Sequence, residues 1–128
     1  MAPATAGTVT ITATSADDPT KTATTTVTVV PAPVATGLVA TVNPVPFGGS
    51  TTLTPTFSNG TGSVDQAVGA VTSGTPFASG TITAAKTFTL TVTNAAGTAA
   101  TTSVTLTPQT VSVGAITPAA ATRTVSTG

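Results

Sequence analysis

No cysteine, histidine, tryptophan or tyrosine occurs among the 128 residues, and only three basic and three acidic side chains do. Each absence removes a class of chemistry. Without His or Cys the chain cannot assemble a Ser-His-Asp triad, a thiol nucleophile, a zinc site or a haem ligand set. Three basic residues at zero net charge cannot neutralise a run of phosphates, so nucleic acid is not an expected partner. With four phenylalanines as its whole aromatic content, the chain has little on which bases or sugar rings could stack. No apolar run approaches the roughly 18 residues of a membrane-crossing helix, so membrane insertion is not expected either. The opening residues MAPATAGTVT have neither a basic end nor an apolar block. A secretion signal is therefore expected on a longer parent chain rather than here. So few charges and no cysteine suit a cell-surface repeat better than a cytosolic enzyme.

What is abundant is threonine, with 36 residues, followed by 22 Ala, 16 Val and 9 Ser. Low charge with a positive mean hydropathy of +0.43 is not the composition of a disordered chain. β-Branched side chains favour a pleated, half-buried surface, so strands are expected. Two segments alternate strictly, Thr8-Val9-Thr10-Ile11-Thr12-Ala13-Thr14 and Thr87-Phe88-Thr89-Leu90-Thr91-Val92-Thr93. Each places apolar residues on one face and threonines on the other, the pattern of a strand in an antiparallel sheet with one face buried. Each runs into a turn, Ser15-Ala16-Asp17-Asp18-Pro19-Thr20 or Asn94-Ala95-Ala96-Gly97, and then into a second alternating strand carrying Val27 and Val29 or Val104 and Leu106.

The spacing is that of a repeat. Ile11 and Leu90 lie 79 positions apart, Val27 and Val104 lie 77 apart, and Val34-Ala35-Thr36-Gly37-Leu38-Val39 precedes Val111-Ser112-Val113-Gly114-Ala115-Ile116 by 77. The expected organisation is a closing hairpin of a first repeat over 1–30, incomplete, a stiff Pro31-Ala32-Pro33 linker over 31–33, a complete copy over 34–108, and the first strand of a further repeat over 109–128, also incomplete. Within the complete copy, strands are expected at Leu38–Val42, Thr51–Phe57, around Val64, from Val68 to Val71, at Ile82 and through the hairpin of 87–107. Pro55 argues for an edge or bulge position, and Asn59-Gly60 reads as a hairpin turn. Seven short strands in about 75 residues point to an all-β sandwich. An isolated two-stranded hairpin is marginal in water, so the apolar face of Val9, Ile11, Val27 and Val29 is expected to be covered.

The stretch TVTITATSADDPTKTATTTVTV resembles the closing hairpin of a bacterial Ig-like domain of the kind repeated in surface adhesins, and GGSTTLTPTF, VDQAVGAVTSG and TFTLTVTNAAGTA are similar to other parts of such a domain. The resemblance covers nearly the whole chain and implies an Ig-like antiparallel β-sandwich, in tandem repeat, with incomplete copies at both ends. Ig-like domains often carry a tyrosine in the penultimate strand. Phe88 at the comparable position has no hydroxyl, and the tryptophan and disulfide of antibody-type domains are missing too.

No residue is expected to be catalytic and no cofactor is implied. Asp17 and Asp18, the only adjacent carboxylates, are weak candidates for a calcium site at a domain junction, which needs about six or more oxygens. Turn chemistry beside Pro19 and Lys21 accounts for them more simply. Asp65 has no second carboxylate near it in sequence for acid–base work and reads as a turn or strand-end residue. Asn59-Gly60-Thr61 fits a glycosylation sequon as well as a turn. Rows of threonine (Thr8, Thr10, Thr12 and Thr14 beside Thr22, Thr24, Thr26 and Thr28, and Thr87, Thr89, Thr91 and Thr93 beside Thr101, Ser103, Thr105 and Thr107) could match ice or carry O-glycans. Two-stranded ribbons twist most, however, and an uncharged strand-favouring solvent face has the same composition. Lys21, Lys86 and Arg123 are too few to repel another sheet edge.

The function expected from these readings is a non-catalytic structural or adhesive module of an extracellular bacterial surface protein. Its partners would be neighbouring Ig-like repeats or other copies of itself. Two alternatives stand beside it: a filament subunit completed by strand exchange between copies, and a module binding a carbohydrate, surface glycan or host ligand through loops near Asp65 to Gly80.

Overall fold

Alternating β-branched residues favour extended backbone, and the computed structural model, which describes residues 6–110 and 114, contains strands and no helix among them. The strands are β1 (Gly7–Thr14), β2 (Thr22–Val29), β3 (Val34–Ala40), β4 (Val45–Pro46), β5 (Thr52–Ser58), β6 (Thr61–Val64), β7 (Gly69–Val71), β8 (Phe77–Ala78), β9 (Lys86–Thr93), β10 (Ala99–Leu106) and β11 (Pro108–Gln109). A four-stranded sheet in the order β10-β9-β6-β7 faces a three-stranded sheet in the order β3-β5-β8, all pairs antiparallel. The short β4 and β11 form a parallel pair, tied by the amide of Val45 donating to the carbonyl of Thr107 at 2.9 Å. The chain is thus all-β, and its two facing sheets are consistent with a sandwich.

Period-two patterning puts Phe88, Leu90 and Val92 of β9 on one face, where they are fully buried. They meet Leu106 from β10, Val64 from β6, Leu38 and Leu53 from the opposite sheet, and Val45 and Ile82. Lys86, one position further along the same face, holds its ammonium 5.1 Å from the centre of the Phe88 ring at the end of this core. Asn43 latches the beginning of the domain to its end, donating to the Thr105 carbonyl at 2.9 Å and accepting from the Thr107 amide at 3.1 Å.

Several local expectations change. Asn59-Gly60 does not join a hairpin: β5 and β6 belong to different sheets, and these two residues carry the chain from one to the other. Ile82 is fully buried but lies in a loop, its backbone bonded at 2.9 Å to Gly48 and Gly49 rather than to a neighbouring strand. Thr107 does not extend the threonine row, which ends with Thr87 opposite Thr105. Gln109 pairs with Pro46 and so bonds back to the two-sheet body; beyond Thr110, and Gly114 apart, the strand expected over 109–128 lies outside the described residues. At Pro55 the strand has an edge on one side, because β8 pairs only with Thr52 and Leu53, and the Pro55 carbonyl accepts from the Gly74 amide instead.

The largest departure concerns the first hairpin. β1 and β2 pair over their whole length, from Gly7 opposite Val29 to Thr14 opposite Thr22. Yet Val9 is 55%, Ile11 54% and Val27 47% exposed, and among the described residues no strand lies across them. The two-sheet body of this chain therefore does not fold over the hairpin to supply the expected cover. Strand pairing uses only the hairpin's own backbone, whereas burial needs a facing sheet, and the three-stranded sheet formed by the described residues is already packed on β9 and β10.

The two hairpins share one register. Val9 pairs with Val27 as Phe88 pairs with Val104, and Ile11 with Thr25 as Leu90 with Thr102. In the first hairpin both faces meet solvent; in the second the apolar face is core.

Candidate functional site

The side chains with the most specific geometry gather where the first hairpin meets the two-sheet body. Asn94 begins the turn between β9 and β10. Its carboxamide oxygen accepts from the amides of Ala96 at 3.1 Å and Thr98 at 2.9 Å, mimicking a backbone turn. Its nitrogen is left to donate to the Pro31 carbonyl at 2.8 Å. Gly97, at φ 78°, closes the turn by donating to the Asn94 carbonyl at 3.0 Å. Asn59, itself left-handed at φ 59°, donates from its side chain to the Ala32 carbonyl at 3.1 Å.

Two asparagines from two different corners therefore grip consecutive carbonyls of the Pro31-Ala32-Pro33 linker. Proline makes this segment suited to being gripped. It restricts the backbone and adds no competing N–H, so its carbonyls are free acceptors. Pro33 is buried. A cleft of about 470 Å³ opens beside the clamp, lined by Ala6, Val30, Asn59, Thr61 and Asn94 among others.

Gly60 is required at this corner because an added Cβ would stand 2.6 Å from the Thr93 carbonyl oxygen. Two positions on, a Cβ at Gly62 would stand 2.5 Å from the Phe57 ring, which lies over it.

The acidic candidates sit elsewhere. Asp17 and Asp18 lie in the β1–β2 turn. One oxygen of Asp18 accepts from the Thr20 hydroxyl at 2.6 Å and the Thr20 amide at 3.0 Å. The hydroxyl and then the amide hold its carboxyl below its ordinary pKa, against a small opposing effect of burial. This oxygen is committed to its own turn. Among the described residues no group of three or more His, Cys, Asp or Glu side chains converges.

Asp65 opens the turn between β6 and β7. Its carboxylate accepts from the Thr89 amide at 2.9 Å and its carbonyl from the Val68 amide at 3.2 Å. Gln66 and Ala67 are both left-handed, at φ 59° and 65°, as a type I′ turn requires. Alanine is strained there, so Ala67→Gly is expected to raise stability by about 0.5–1 kcal/mol, reversing the usual sign of an alanine-to-glycine change. A urea melt followed by far-ultraviolet circular dichroism checks this.

The threonine rows form as read from the sequence on the first hairpin, with Thr8 opposite Thr28, Thr10 opposite Thr26, Thr12 opposite Thr24 and Thr14 opposite Thr22. On the second, the hydroxyls of Thr87 and Thr105 are 2.8 Å apart. The linker clamp was not legible in the sequence. Asn94 and Pro31 are 63 positions apart, and the turn signal at Asn94 does not name the carbonyl its spare N–H finds.

Comparison with known proteins adds no relative: no family model matches the chain, and no curated protein or solved structure matches it.

Proposed function

We propose that this chain is a non-catalytic structural module of an extracellular surface protein, built from tandem Ig-like repeats and serving as a stalk, spacer or adhesion repeat. The observation that carries the reading is the pair of hairpins in one register, offset by 79 positions on the first strand and 77 on the second, with a clamped linker between the first hairpin and the body. The strand order also supports it. An Ig-like sandwich places its last two strands beside the third in one sheet and its first two strands together in the other. β10-β9-β6 and β3-β5 have that relation, and the early β4 crosses to run parallel to β11. Threonine faces and few charges leave the surface of such a repeat polar without strong fields.

A spacer must pass orientation from one unit to the next, and the two asparagine clamps supply the means. Domain junctions move by default unless an interface restrains them. The test is nuclear spin relaxation of backbone amides in the full chain. Amides of β1–β2 and of β9–β10 are expected to report one common tumbling time. In the Asn59→Ala/Asn94→Ala double variant the first hairpin is expected to reorient severalfold faster than the body. Independent motion of the hairpin already present in the unaltered chain would sink the spacer reading.

A further inference from the structure

The chain has three asparagines, and each of them holds backbone from elsewhere in the fold. Asn43 ties β10 at Thr105 and Thr107, Asn94 holds Pro31, and Asn59 holds Ala32. They differ in the residue that follows, which is Pro44, Ala95 and Gly60 respectively. That difference is chemical. The backbone nitrogen of the next residue can close a five-membered ring on the carboxamide carbon, and asparagine counts among the thermolabile residues.

Pro44 has no N–H to give up, so Asn43 cannot form a neutral imide with it. Ala95 has one, but its Cβ flanks the nitrogen, and Asn94 is buried with its side chain committed to three hydrogen bonds. Gly60 has an N–H and no Cβ. The ladder to β9 starts one residue later, at Thr61, so the Gly60 nitrogen stands outside it. Asn59 is exposed, and among the described residues its side chain makes a single hydrogen bond, the one to Ala32 at 3.1 Å.

We propose that Asn59 is a deamidation site and that its conversion releases one of the two clamps on the linker. The Gly60 nitrogen attacks Cγ of Asn59. A bond forms between them, the Cγ–Nδ2 bond breaks, and Nδ2 leaves as ammonia with the proton that Gly60 gives up. One water then opens the ring. Attack at Cγ yields aspartate; attack at the main-chain carbonyl carbon yields isoaspartate, with the chain routed through the side chain. The sum is amide plus water to carboxylic acid plus ammonia, with no change of oxidation state.

Either product removes the donor. A carboxylate only accepts hydrogen bonds, so in the aspartate product an anionic oxygen faces the Ala32 carbonyl where an N–H had donated, and the two repel. In the isoaspartate product the corner gains a methylene in its main chain, and Gly60 cannot keep its close approach to Thr93. The intact fold slows the reaction. The bond to Ala32 holds the carboxamide, and packing against the Thr93 carbonyl holds Gly60. Ring closure therefore proceeds from the fraction of molecules in which this corner is open. Opening is reversible before the reaction and permanent after it, which makes Asn59 a one-way loosening device at the junction. The inference rests on the clamp of the spacer reading and adds how that clamp is lost.

The test incubates the full chain in mildly alkaline buffer and maps samples over time by fragment-ion mass spectrometry. The expected result is the mass gain of amide-to-acid conversion at Asn59, with aspartate and isoaspartate both present and Asn43 and Asn94 unchanged. The rate is expected to be highest for the chain unfolded in guanidinium, severalfold lower in the Asn94→Ala variant and lowest in the unaltered chain, since releasing Pro31 opens the corner more often. Asn59→Gln, whose cyclisation needs a six-membered ring, is expected to stay unmodified. In fresh Asn59→Asp protein the first hairpin is expected to reorient faster than in the unaltered chain but less than in the double variant, because Asn94 still holds Pro31. An Asn59 that stays unconverted over a period in which the unfolded chain has converted, conversion at Asn94 ahead of Asn59, or an Asn59→Asp hairpin that tumbles as in the unaltered chain would each overturn the proposal. The spacer reading is judged separately, on the relaxation of freshly purified unaltered chain before any conversion, so the two can fail independently.

Discussion

Leu90→Ala is expected to destabilise the protein by about 3–4 kcal/mol, and Ile11→Ala by about 0.5 kcal/mol or less. The two residues occupy equivalent places in two hairpins of identical register, each on the apolar side of a strand that alternates with threonine. Leu90 is fully enclosed by Phe88, Leu38, Leu53 and their neighbours, so truncation removes burial and leaves a void that the packed sheets cannot close. Ile11 is 54% exposed, so truncation removes little that folding had taken from water. Urea denaturation followed by circular dichroism measures both, and the chain's lack of tryptophan and tyrosine makes backbone dichroism the natural probe. Equal losses at the two positions would mean that the first hairpin is covered in solution by something other than its own strands.

Gly60→Ala is expected to cost about 3 kcal/mol and Gly62→Ala about 1 kcal/mol. The distances alone rank them the other way, since the new methyl would stand 2.6 Å from its nearest obstacle at Gly60 and 2.5 Å at Gly62. What separates them is the obstacle. At Gly60 it is the carbonyl of Thr93, and the Thr93 carbonyl carbon is 2.8 Å away as well, so relief requires the backbone of β9 to move at the corner where Asn94 holds the linker. At Gly62 it is the far edge of the Phe57 ring, a half-buried side chain that can rotate and tilt. Thermal or urea melts of the two variants measure the difference. The Gly60 variant should also loosen the first hairpin from the body, visible in the same relaxation measurement that tests the clamp.

Much of the strand content was legible because it is written with period two. The segments 8–14 and 87–93 alternate without a break, and a strand is the local structure that sends successive side chains to opposite faces. Their turns were legible for similar reasons: Asp18 closes its turn through Thr20, and Gly97 takes the left-handed place after Asn94. Asn59-Gly60 shows the limit. Its residues specify a sharp reversal, and the same reversal can join two paired strands or pass between two stacked sheets. Ile82 shows another: a buried isoleucine flanked by threonines looks like the middle of a strand, but its backbone partners are the two glycines at 48 and 49, a loop contact between distant segments. The acidic candidates were weak in sequence; the carboxylate of Asp18 serves its own turn and that of Asp65 a backbone amide of β9. The clamp that now stands as the candidate site needed the fold, because Asn59 and Asn94 are unremarkable turn residues until Ala32 and Pro31 are brought beside them.

By itself the amino-acid order determined that this chain makes strands, which of their faces are apolar, where it turns, and that it carries no histidine or cysteine chemistry, because these are properties of single residues and near neighbours. Only the tertiary structure decided which apolar face is core and which is bare, which corner crosses between sheets, and where the spare amides of two asparagines find carbonyls. The reason is that burial belongs to a pair of surfaces. Two hairpins with the same pattern and the same register end in opposite environments because, among the described residues, the facing sheet packs on the second of them.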